Sequence, residues 1–408
     1  MPTLLFTKAQ AVLKTITKTV WVLSLVSFLT DTASELLYPV MPFYLKSIGF
    51  SVLLIGMLEG VAEATAGLSK GYFGQQSDRL GRRVPFVQLG YALSAVSKPL
   101  MALLTAPLWV FFARTLDRLG KGVRTGARDA LLSAAATPQT KGTVFGFHRS
   151  MDTLGAVLGP TLALLYLHYH PNDYKTLFLI AFAPGALAVL ATLVLKEQQA
   201  PAVKASQQRL TFFSFLRYWQ QSTPAYRKLV TGLLLFTLCN SSDVFLLLQA
   251  RQAGLNDTLV IGIYIFYNLV YAVFAFPLGA LADRLGLKTV FVAGLVLFAV
   301  VYLGMAFSTG TAGFFVLFFL YGIYAAATEG ISKAWITNVA AAGEAATAVG
   351  TFTALQSVGA LLASSITGLL WYRLGAAVAL STAAAGALLV VLYFTRVPAP
   401  EAVHRQNR

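Results

Sequence analysis

The chain has 408 residues, of which 57% are hydrophobic and only 12% are charged. Soluble globular proteins carry about 25% charged residues, so this composition excludes an ordinary soluble domain. Lysine and arginine exceed aspartate and glutamate by 15, which on so apolar a chain indicates a membrane orientation signal rather than nucleic-acid binding. The single cysteine, Cys239, excludes an intramolecular disulfide framework and a multi-cysteine metal cluster. The composition predicts an integral membrane protein.

Twelve apolar segments follow one another along the chain, each near the length of about 20 residues that a membrane-spanning helix needs. We therefore predict an all-α integral membrane protein with twelve transmembrane helices, called spans 1 to 12. Apolar runs such as residues 187–195 do not alternate with polar residues, which favours helices over the strands of a barrel. The predicted spans cover residues 20–46, 52–73, 84–104, 107–133, 143–168, 174–195, 229–250, 258–280, 288–308, 312–338, 346–370 and 374–395.

Lysine and arginine are distributed unevenly over the two sides of the predicted membrane. Eighteen lie in or beside the segments on the side of the N-terminus, and four lie on the other side: Lys46, Lys175, Arg251 and Arg373. Because cytoplasmic loops are enriched in these residues, we predict a multi-pass protein of the inner membrane with both termini in the cytoplasm.

A polar stretch between spans 6 and 7 divides the chain. It predicts an N-terminal six-helix bundle over residues 1–195, a cytoplasmic linker over 196–228, and a C-terminal six-helix bundle with a short tail over 229–408. An apolar patch within the linker, residues 212–216, predicts a short amphipathic helix at the membrane surface.

The two halves repeat, with Asp283 lying 205 residues after Asp78. Gly74 and the run Asp78-Arg79-Leu80-Gly81-Arg82 after span 2 match Gly279 and Asp283-Arg284-Leu285-Gly286 after span 8. At the same spacing, Arg124 and Arg128 in span 4 match Glu329 and Lys333 in span 10. The repeat predicts two pseudo-symmetric bundles.

These motifs resemble those of the major facilitator superfamily, in which a Gly-x-x-x-Asp-Arg-x-Gly-Arg-Arg loop follows helix two and is echoed after helix eight. The run Gly155-Ala-Val-Leu-Gly159-Pro160 in span 5 resembles a motif of its drug:proton antiporters, although Thr161-Leu162-Ala163 replace the further glycines found there. The resemblance covers residues 18–396. It implies two six-helix bundles around a central cavity that opens to each side in turn.

The loop after span 2 and its repeat predict a gate on the cytoplasmic side. A carboxylate such as that of Asp78 can hold a helix N-terminus or an arginine, and glycine permits the tight turn. For Arg82 and Arg83 the alternative is a simple topology anchor on lipid headgroups. The predicted gate residues are Gly74, Asp78, Arg79, Gly81, Arg82, Asp283, Arg284, Glu329 and Lys333.

Span 4 carries a dense run of charges, which is costly in a bilayer unless they are paired or hydrated. At 100° per residue they fall within an arc of about 140°, so they predict one polar stripe on a helix: Arg114, Asp117, Arg118, Lys121, Arg124, Arg128 and Asp129. For Arg124, Arg128 and Asp129, interhelical ion pairs are an equal alternative to a role in the cavity. For Asp117, Arg118 and Lys121 we favour a cavity wall.

Four acids within the spans are candidates for proton coupling: Asp31 and Glu35 in span 1, Glu63 in span 2 and Asp152 in span 5. A carboxyl group at membrane depth can exchange a proton for a cationic partner as a cavity opens. The resemblance also implies acids in helices one and five for proton-coupled members of the family. The alternative is a permanently ionised partner of Arg118 or Lys121.

Further polar residues are predicted to face the cavity. At the repeat spacing, Glu35 matches Asn240 and Glu63 matches Asn268, so each carboxylate is mirrored by an amide. The predicted cavity residues are Glu59, Asp117, Arg118, Lys121, Asn240, Asp243 and Asn268.

The chain contains no metalloprotease, nucleophile-elbow or nucleotide-binding motif, so we expect neither an enzyme nor an ATP-driven pump. We also expect no cofactor and no metal, since His168, His170 and Asp173 at a helix end are more typical of the membrane interface.

We predict secondary active transport by alternating access, with proton-coupled export of a drug-like compound or metabolite as the first hypothesis. Transport of an anionic solute along the basic stripe of span 4 is the alternative, and a membrane-embedded receptor or enzyme is a remote one. The expected partners are a small-molecule substrate, protons and membrane lipids, without nucleic acid, and we expect a monomer.

Overall fold

The computed structural model describes residues 16–197 and 211–396, and this part of the chain contains fifteen α-helices and no β-strand. One turn of 3-10 helix, Ser214–Arg217, precedes α8. In chain order the helices are α1 (Lys18–Glu35), α2 (Met41–Ser47), α3 (Val52–Leu80), α4 (Val84–Leu103), α5 (Pro107–Ala134), α6 (Lys141–Tyr169), α7 (Tyr174–Thr192), α8 (Tyr218–Gln221), α9 (Pro224–Thr237), α10 (Val244–Gln252), α11 (Asp257–Leu285), α12 (Leu287–Phe307), α13 (Thr311–Val339), α14 (Ala345–Leu374) and α15 (Ala376–Arg396).

Each predicted span coincides with helix, but spans 1 and 7 are broken where single helices were predicted. Span 1 leaves the helix after Glu35 and resumes as α2 at Met41, since Pro39 cannot continue a helix. Span 7 is interrupted between α9 and α10, where Asn240, Ser241 and Ser242 stand. Such side chains compete for backbone hydrogen bonds. The two breaks occupy equivalent places in the sequence repeat.

The helices of spans 2 and 8 are longer than predicted. Their ends were expected at residues 73 and 280, but α3 continues to Leu80 and α11 to Leu285. Each ends at a glycine with positive φ, +62° at Gly81 and +96° at Gly286, a conformation that glycine adopts without strain. As a result Gly74 lies within a helix rather than in a loop.

Most helices pack on helices of their own half, whereas α3, α6, α11 and α14 also form the main contacts between the halves. In residues 16–197, α1 contacts α6 and α7, while α5 contacts α3 and α4. In residues 211–396, α13 contacts α11 and α12, and α12 contacts α15. The halves meet along two main interfaces, α3 with α14 and α6 with α11, which are equivalent in the repeat.

Seven helices in the described part of the chain are long and apolar enough to cross a membrane: α6, α7, α11, α12, α13, α14 and α15. Large apolar side chains such as Leu108, Phe307 and Leu389 are exposed on the protein, as lipid contact would require. By contrast, α3 and α5 carry charged side chains along much of their length.

The linker was predicted to contain a short helix at the membrane surface, but its described part packs on the protein instead. Residues 198–210 lie outside the described residues. Residues 214–221 form the 3-10 turn and α8, and the Phe215 ring is buried against Gly71 of α3. Thr351 of α14 donates a hydrogen bond to the Phe215 carbonyl over 3.4 Å, so the segment contacts both halves. Phe212 and Phe213 are exposed.

Candidate functional site

The two halves are joined where α3 meets α4 and α11 meets α12, here called the loop end. Asp78, in the last turn of α3, accepts hydrogen bonds from the Thr347 backbone N–H over 2.6 Å and from its hydroxyl over 2.9 Å. Asp283 likewise accepts hydrogen bonds from the Thr143 backbone N–H over 2.7 Å and from its hydroxyl over 2.6 Å. It also accepts one from the Gly142 N–H. Each carboxylate thus caps the first turn of a helix in the other half.

Glycine permits close backbone approach one turn before each of these aspartates. A side chain at Gly74 would collide with the backbone carbonyl of Ala346, and one at Gly279 would collide with that of Gly142. The α3–α14 and α6–α11 interfaces are therefore packed in the same way, with one backbone in contact with the other at a glycine.

Ion pairs across the halves add to this closure. Lys333 of α13 lies 2.9 Å from Asp129 of α5, whose other oxygen accepts from the Arg128 guanidinium over 2.9 Å. Arg149 of α6 contacts Glu329 of α13 over 3.1 Å and donates to the Tyr271 hydroxyl over 2.6 Å. The predicted gate residues Glu329 and Lys333 therefore join the halves through Arg149 and Asp129.

The remaining basic residues of the predicted gate occupy different environments. Arg82 and Arg284 are exposed, and Arg79 lies in the last turn of α3. Arg83, for which a lipid anchor was one interpretation, is instead buried: it forms an ion pair with Asp78 over 3.4 Å and donates to the Ala130 carbonyl.

Away from the loop end the halves diverge. A side chain at Gly67 would still touch Ser357 of α14, whereas Gly56 and Gly60 have no such neighbour within 4 Å. A cavity of about 520 Å³ opens here between α3, the end of α9, and α14. Its lining includes Glu63, Leu68, Asn240, Gln356 and Leu361.

The charged residues predicted to form one stripe on α5 lie in different environments along the helix. Arg114 holds the Glu59 carboxylate with two hydrogen bonds of 3.0 Å. Asp117 was predicted to line the cavity, but it is buried against Lys98 of α4, with 2.6 Å between carboxylate and ammonium. Lys98 is only 1% exposed, and a buried ion needs such a partner. This pair stabilises the N-terminal half.

One turn further along α5, the two predicted cavity cations differ from each other. Arg118 forms an ion pair with Glu63 over 3.3 Å, and the Glu63 side chain is 61% exposed. Lys121 is exposed, and among the described residues no carboxylate lies within 4 Å of its ammonium. Arg124 is turned into its own half, where it donates to Ser94 over 2.6 Å and stacks on Tyr91.

The four acids predicted for proton coupling are also separated by the fold. Asp31 of α1 and Asp152 of α6 lie side by side, within hydrogen-bonding reach of each other, where Gly155 lets the two helices approach closely. Asp152 also accepts from Arg149 over 2.6 Å. Glu35 lies one turn beyond Asp31, and its charged neighbours include Lys121 and Arg118.

The C-terminal half places its polar residues differently. Asp243 accepts hydrogen bonds from the Tyr267 and Tyr321 hydroxyls, both over 2.5 Å. Asn240 lines the cavity, whereas Asn268 is buried and donates to the Tyr264 carbonyl of its own helix over 2.9 Å. Asn268 therefore lies outside the cavity for which it was predicted.

Sequence reasoning missed two residues of this arrangement, Lys98 and Tyr321, and it placed Lys70 on the charged face of span 2 without assigning it a role. Lys98 was the only charged residue within span 3, which by itself signals a buried partner. Lys70 shares a helix face with Glu63, seven residues before it. The partnership of Tyr321 with Asp243 had no signal, because tyrosine is common throughout the chain.

Comparisons with known proteins agree with this architecture. The family model described as Major Facilitator Superfamily matches residues 23–267 and 248–408. An uncharacterised MFS-type transporter of Methanocaldococcus jannaschii is 34% identical over 87% of this chain and 89% of its own length. A homologue of the multi-drug resistance efflux pump PmrA in Lactococcus lactis is 23% identical over 72% of this chain and 74% of its own.

A solved structure shares the fold at low sequence identity. The crystal structure of the human organic anion transporter MFSD10 (TETRAN) superposes with a TM-score of 0.77 at 18% identity, covering 92% of this chain and 98% of that one. With its helical membrane segments, its repeated helix-capping aspartates and a family model that matches both halves, the chain belongs to the major facilitator superfamily and is a multi-pass membrane transporter.

Proposed function

We propose that the protein is a proton-coupled secondary transporter that exports small organic solutes across the inner membrane. In this proposal twelve membrane crossings form two six-helix bundles, and the loop end and both termini face the cytoplasm. Asp31 and Asp152 carry the coupled proton.

Alternating access is supported by the different contacts at the two ends of the molecule. Two capped and glycine-lined interfaces hold the halves together at the loop end, while the halves diverge towards the cavity at the other end. Because the excess of lysine and arginine assigns the loop end to the cytoplasm, this conformation is closed inside and open outside.

The proximity of Asp31 and Asp152 is the observation that carries the proposed coupling. Two adjacent carboxyl groups can share a hydrogen bond only when one of them holds a proton, and two like charges in one site oppose full ionisation. Arg149 links this pair to Glu329 and Tyr271 of the other half. Loss or gain of the proton would therefore change a contact that also joins the halves.

Two observations support different substrate classes. Leu68, Val358 and Leu361 line the cavity beside a few polar groups, which suits a drug-like compound, and a multidrug efflux relative agrees with export. Lys121 has no carboxylate partner among the described residues and favours an anionic solute as the second candidate.

Proton coupling can be tested with purified protein in liposomes that contain a pH-sensitive dye. We expect some members of a panel of lipophilic cations and organic anions to dissipate an imposed pH gradient. Asp31→Asn and Asp152→Asn should abolish this proton flux but retain exchange of labelled solute, since an amide cannot carry the proton.

Glu63→Gln tests an alternative proton carrier, because Glu63 is a cavity acid whose side chain is 61% exposed beside Arg118. It should keep proton-driven transport. Loss of coupling in Glu63→Gln or Glu35→Gln, with normal coupling in both aspartate variants, would reassign the proton to that glutamate. Transport that ignores the pH gradient in the unmodified protein would contradict proton coupling altogether.

A further inference from the structure

We propose that Lys70 of α3 and Lys121 of α5 form a binding site for the anionic group of an organic substrate. This inference rests on the proposed transport function and names the substrate class of its cavity. Lys70 has no role in that function as described so far.

The two lysines are brought together by a close contact between their helices. A side chain at Gly122 would collide with the side chain of Ser69, so α3 and α5 touch at these two residues. Lys70 and Lys121 directly adjoin this contact in sequence. The fold therefore fixes their backbones next to each other.

The charges around Lys70 leave a surplus of positive charge. Its charged neighbours are Lys121, Glu63, Lys333 and Arg118. The acid, Glu63, is held by Arg118 over 3.3 Å, and Lys333 is held by Asp129 over 2.9 Å. Among the described residues, neither Lys70 nor Lys121 has a carboxylate within 4 Å.

The acids of α1 do not neutralise this pair directly. Asp31 and Glu35 are charged neighbours of Lys121, but both stay beyond ion-pair distance. Asp31 lies against Asp152 instead. Two neighbouring ammonium groups without carboxylate partners repel each other, and an anion bound between them removes that repulsion with two charge-assisted hydrogen bonds.

The adjoining cavity indicates what the rest of the ligand is like. It begins one turn away, at Gly67 and Leu68 of α3, and its opposite wall includes Gln356, Val358 and Leu361 of α14. Aliphatic side chains beside a cationic pair fit a carboxylate, phosphate or sulfonate attached to an apolar body. The headgroup of an anionic lipid has the same chemistry, so free solute and lipid must be separated by experiment.

The test measures binding to purified protein in nanodiscs of phosphatidylcholine alone. The probes are naphthoate, naphthyl phosphate and naphthalene sulfonate, each compared with the neutral naphthamide. We expect at least one anion to bind ten times more tightly than the amide. Lys70→Met and Lys121→Met should each weaken that anion about tenfold or more, while Lys70→Arg and Lys121→Arg should largely retain binding.

Lys175→Met is the matched control, because Lys175 is an exposed lysine in the first turn of α7. This variant should bind the probes normally. Monodisperse elution and an unchanged melting temperature establish that the methionine variants are folded. Equal binding of anions and amide, or anion binding that both methionine variants keep, would overturn the two-lysine site.

Three further outcomes separate this inference from lipid binding and from the proposed function. If phosphatidylglycerol in the nanodisc displaces every probe and no probe is transported, the lysines bind lipid and the substrate assignment is wrong. If protons drive transport of neutral or cationic compounds only, the proposed function stands and the anion site falls. If the probes bind through the lysines without any proton flux, the proton coupling falls instead.

Discussion

The carboxylate of Asp78 and the first turn of α14 meet at Thr347, whose N–H and hydroxyl both donate to one carboxylate oxygen, over 2.6 and 2.9 Å. Asp283 and Thr143 repeat the relationship in the other direction between the halves. Each half therefore contributes one capping acid and receives one, and the two contacts join the halves at the loop end.

Asp78→Ala should open the loop end. A lost helix cap costs about 0.5–2 kcal/mol, and this cap exists only in the closed state, so the ratio of closed to open molecules should drop about threefold to thirtyfold. The ion pair with Arg83 lies within one half, so its loss affects both states alike. Spin labels at Gln139 and Ala342, in a Cys239→Ala background, would report the change as a longer distance population. Asp283→Ala should act in the same direction.

Asp173→Ala is the control for that experiment, because Asp173 caps α7 through the Thr176 N–H within one half and away from the interface. It should lower stability slightly and leave the label distances unchanged. Equal distance distributions in all three variants would remove the gate role of Asp78.

Lys98→Met should destabilise the protein without changing the balance between conformations. The substitution leaves Asp117 buried without its main partner, and breaking a buried ion pair costs about 3–5 kcal/mol. The melting temperature in detergent should fall clearly, and adding Asp117→Asn should restore most of it. If Lys98→Met melts normally, the pair contributes nothing measurable to the fold.

Lys333→Met provides the contrasting case, since Lys333 binds an aspartate of the same helix α5 from the other half. Asp129 keeps Arg128 as a partner when the halves separate. The variant should therefore shift the label distances towards the open population more than it lowers the melting temperature. The reverse result would make the Asp129 contact a fold contact rather than a closure contact.

Phe215→Ala, a substitution in the linker, should increase the population of longer label distances, as Asp78→Ala does. The ring is 1% exposed and lies against Gly71, while its carbonyl accepts from Thr351 of the other half. Removing the ring reduces the apolar surface that is buried in the closed state, which makes that state less stable. Phe213→Ala, which truncates an exposed neighbour, should leave the distances as they are.

Apolar segment length and the repeat allowed the helical class, the helix at every predicted span and the capping acids to be predicted. The broken spans could not be predicted in the same way, because a window of 20 residues averages over a short polar break such as 239–243. Packing decides the rest. Periodicity placed Asp117 and Lys121 on one face of α5, but only the position of α4 determines that Asp117 meets Lys98 while Lys121 does not.

The linker shows a different limit. Its apolar patch had the composition of a membrane-surface helix, yet the fold offers Phe215 a site against Gly71. Tyr218, three residues later, hydrogen-bonds Glu344 at the start of α14, and burial raises the pKa of that carboxyl despite the bond. Composition indicates that such side chains seek an apolar environment but not whether lipid or protein provides it.

If the halves separate as rigid bodies, as we propose, the paired aspartate caps make the closure bivalent. Once either interface has formed, the acid and helix N-terminus of the second are held at a high effective concentration, and they associate without a new translational cost. Each contact can then be weak enough to exchange rapidly, while the pair together keeps the passage shut. Avidity within a single chain thus gives the loop end a firm closed state from two individually labile bonds.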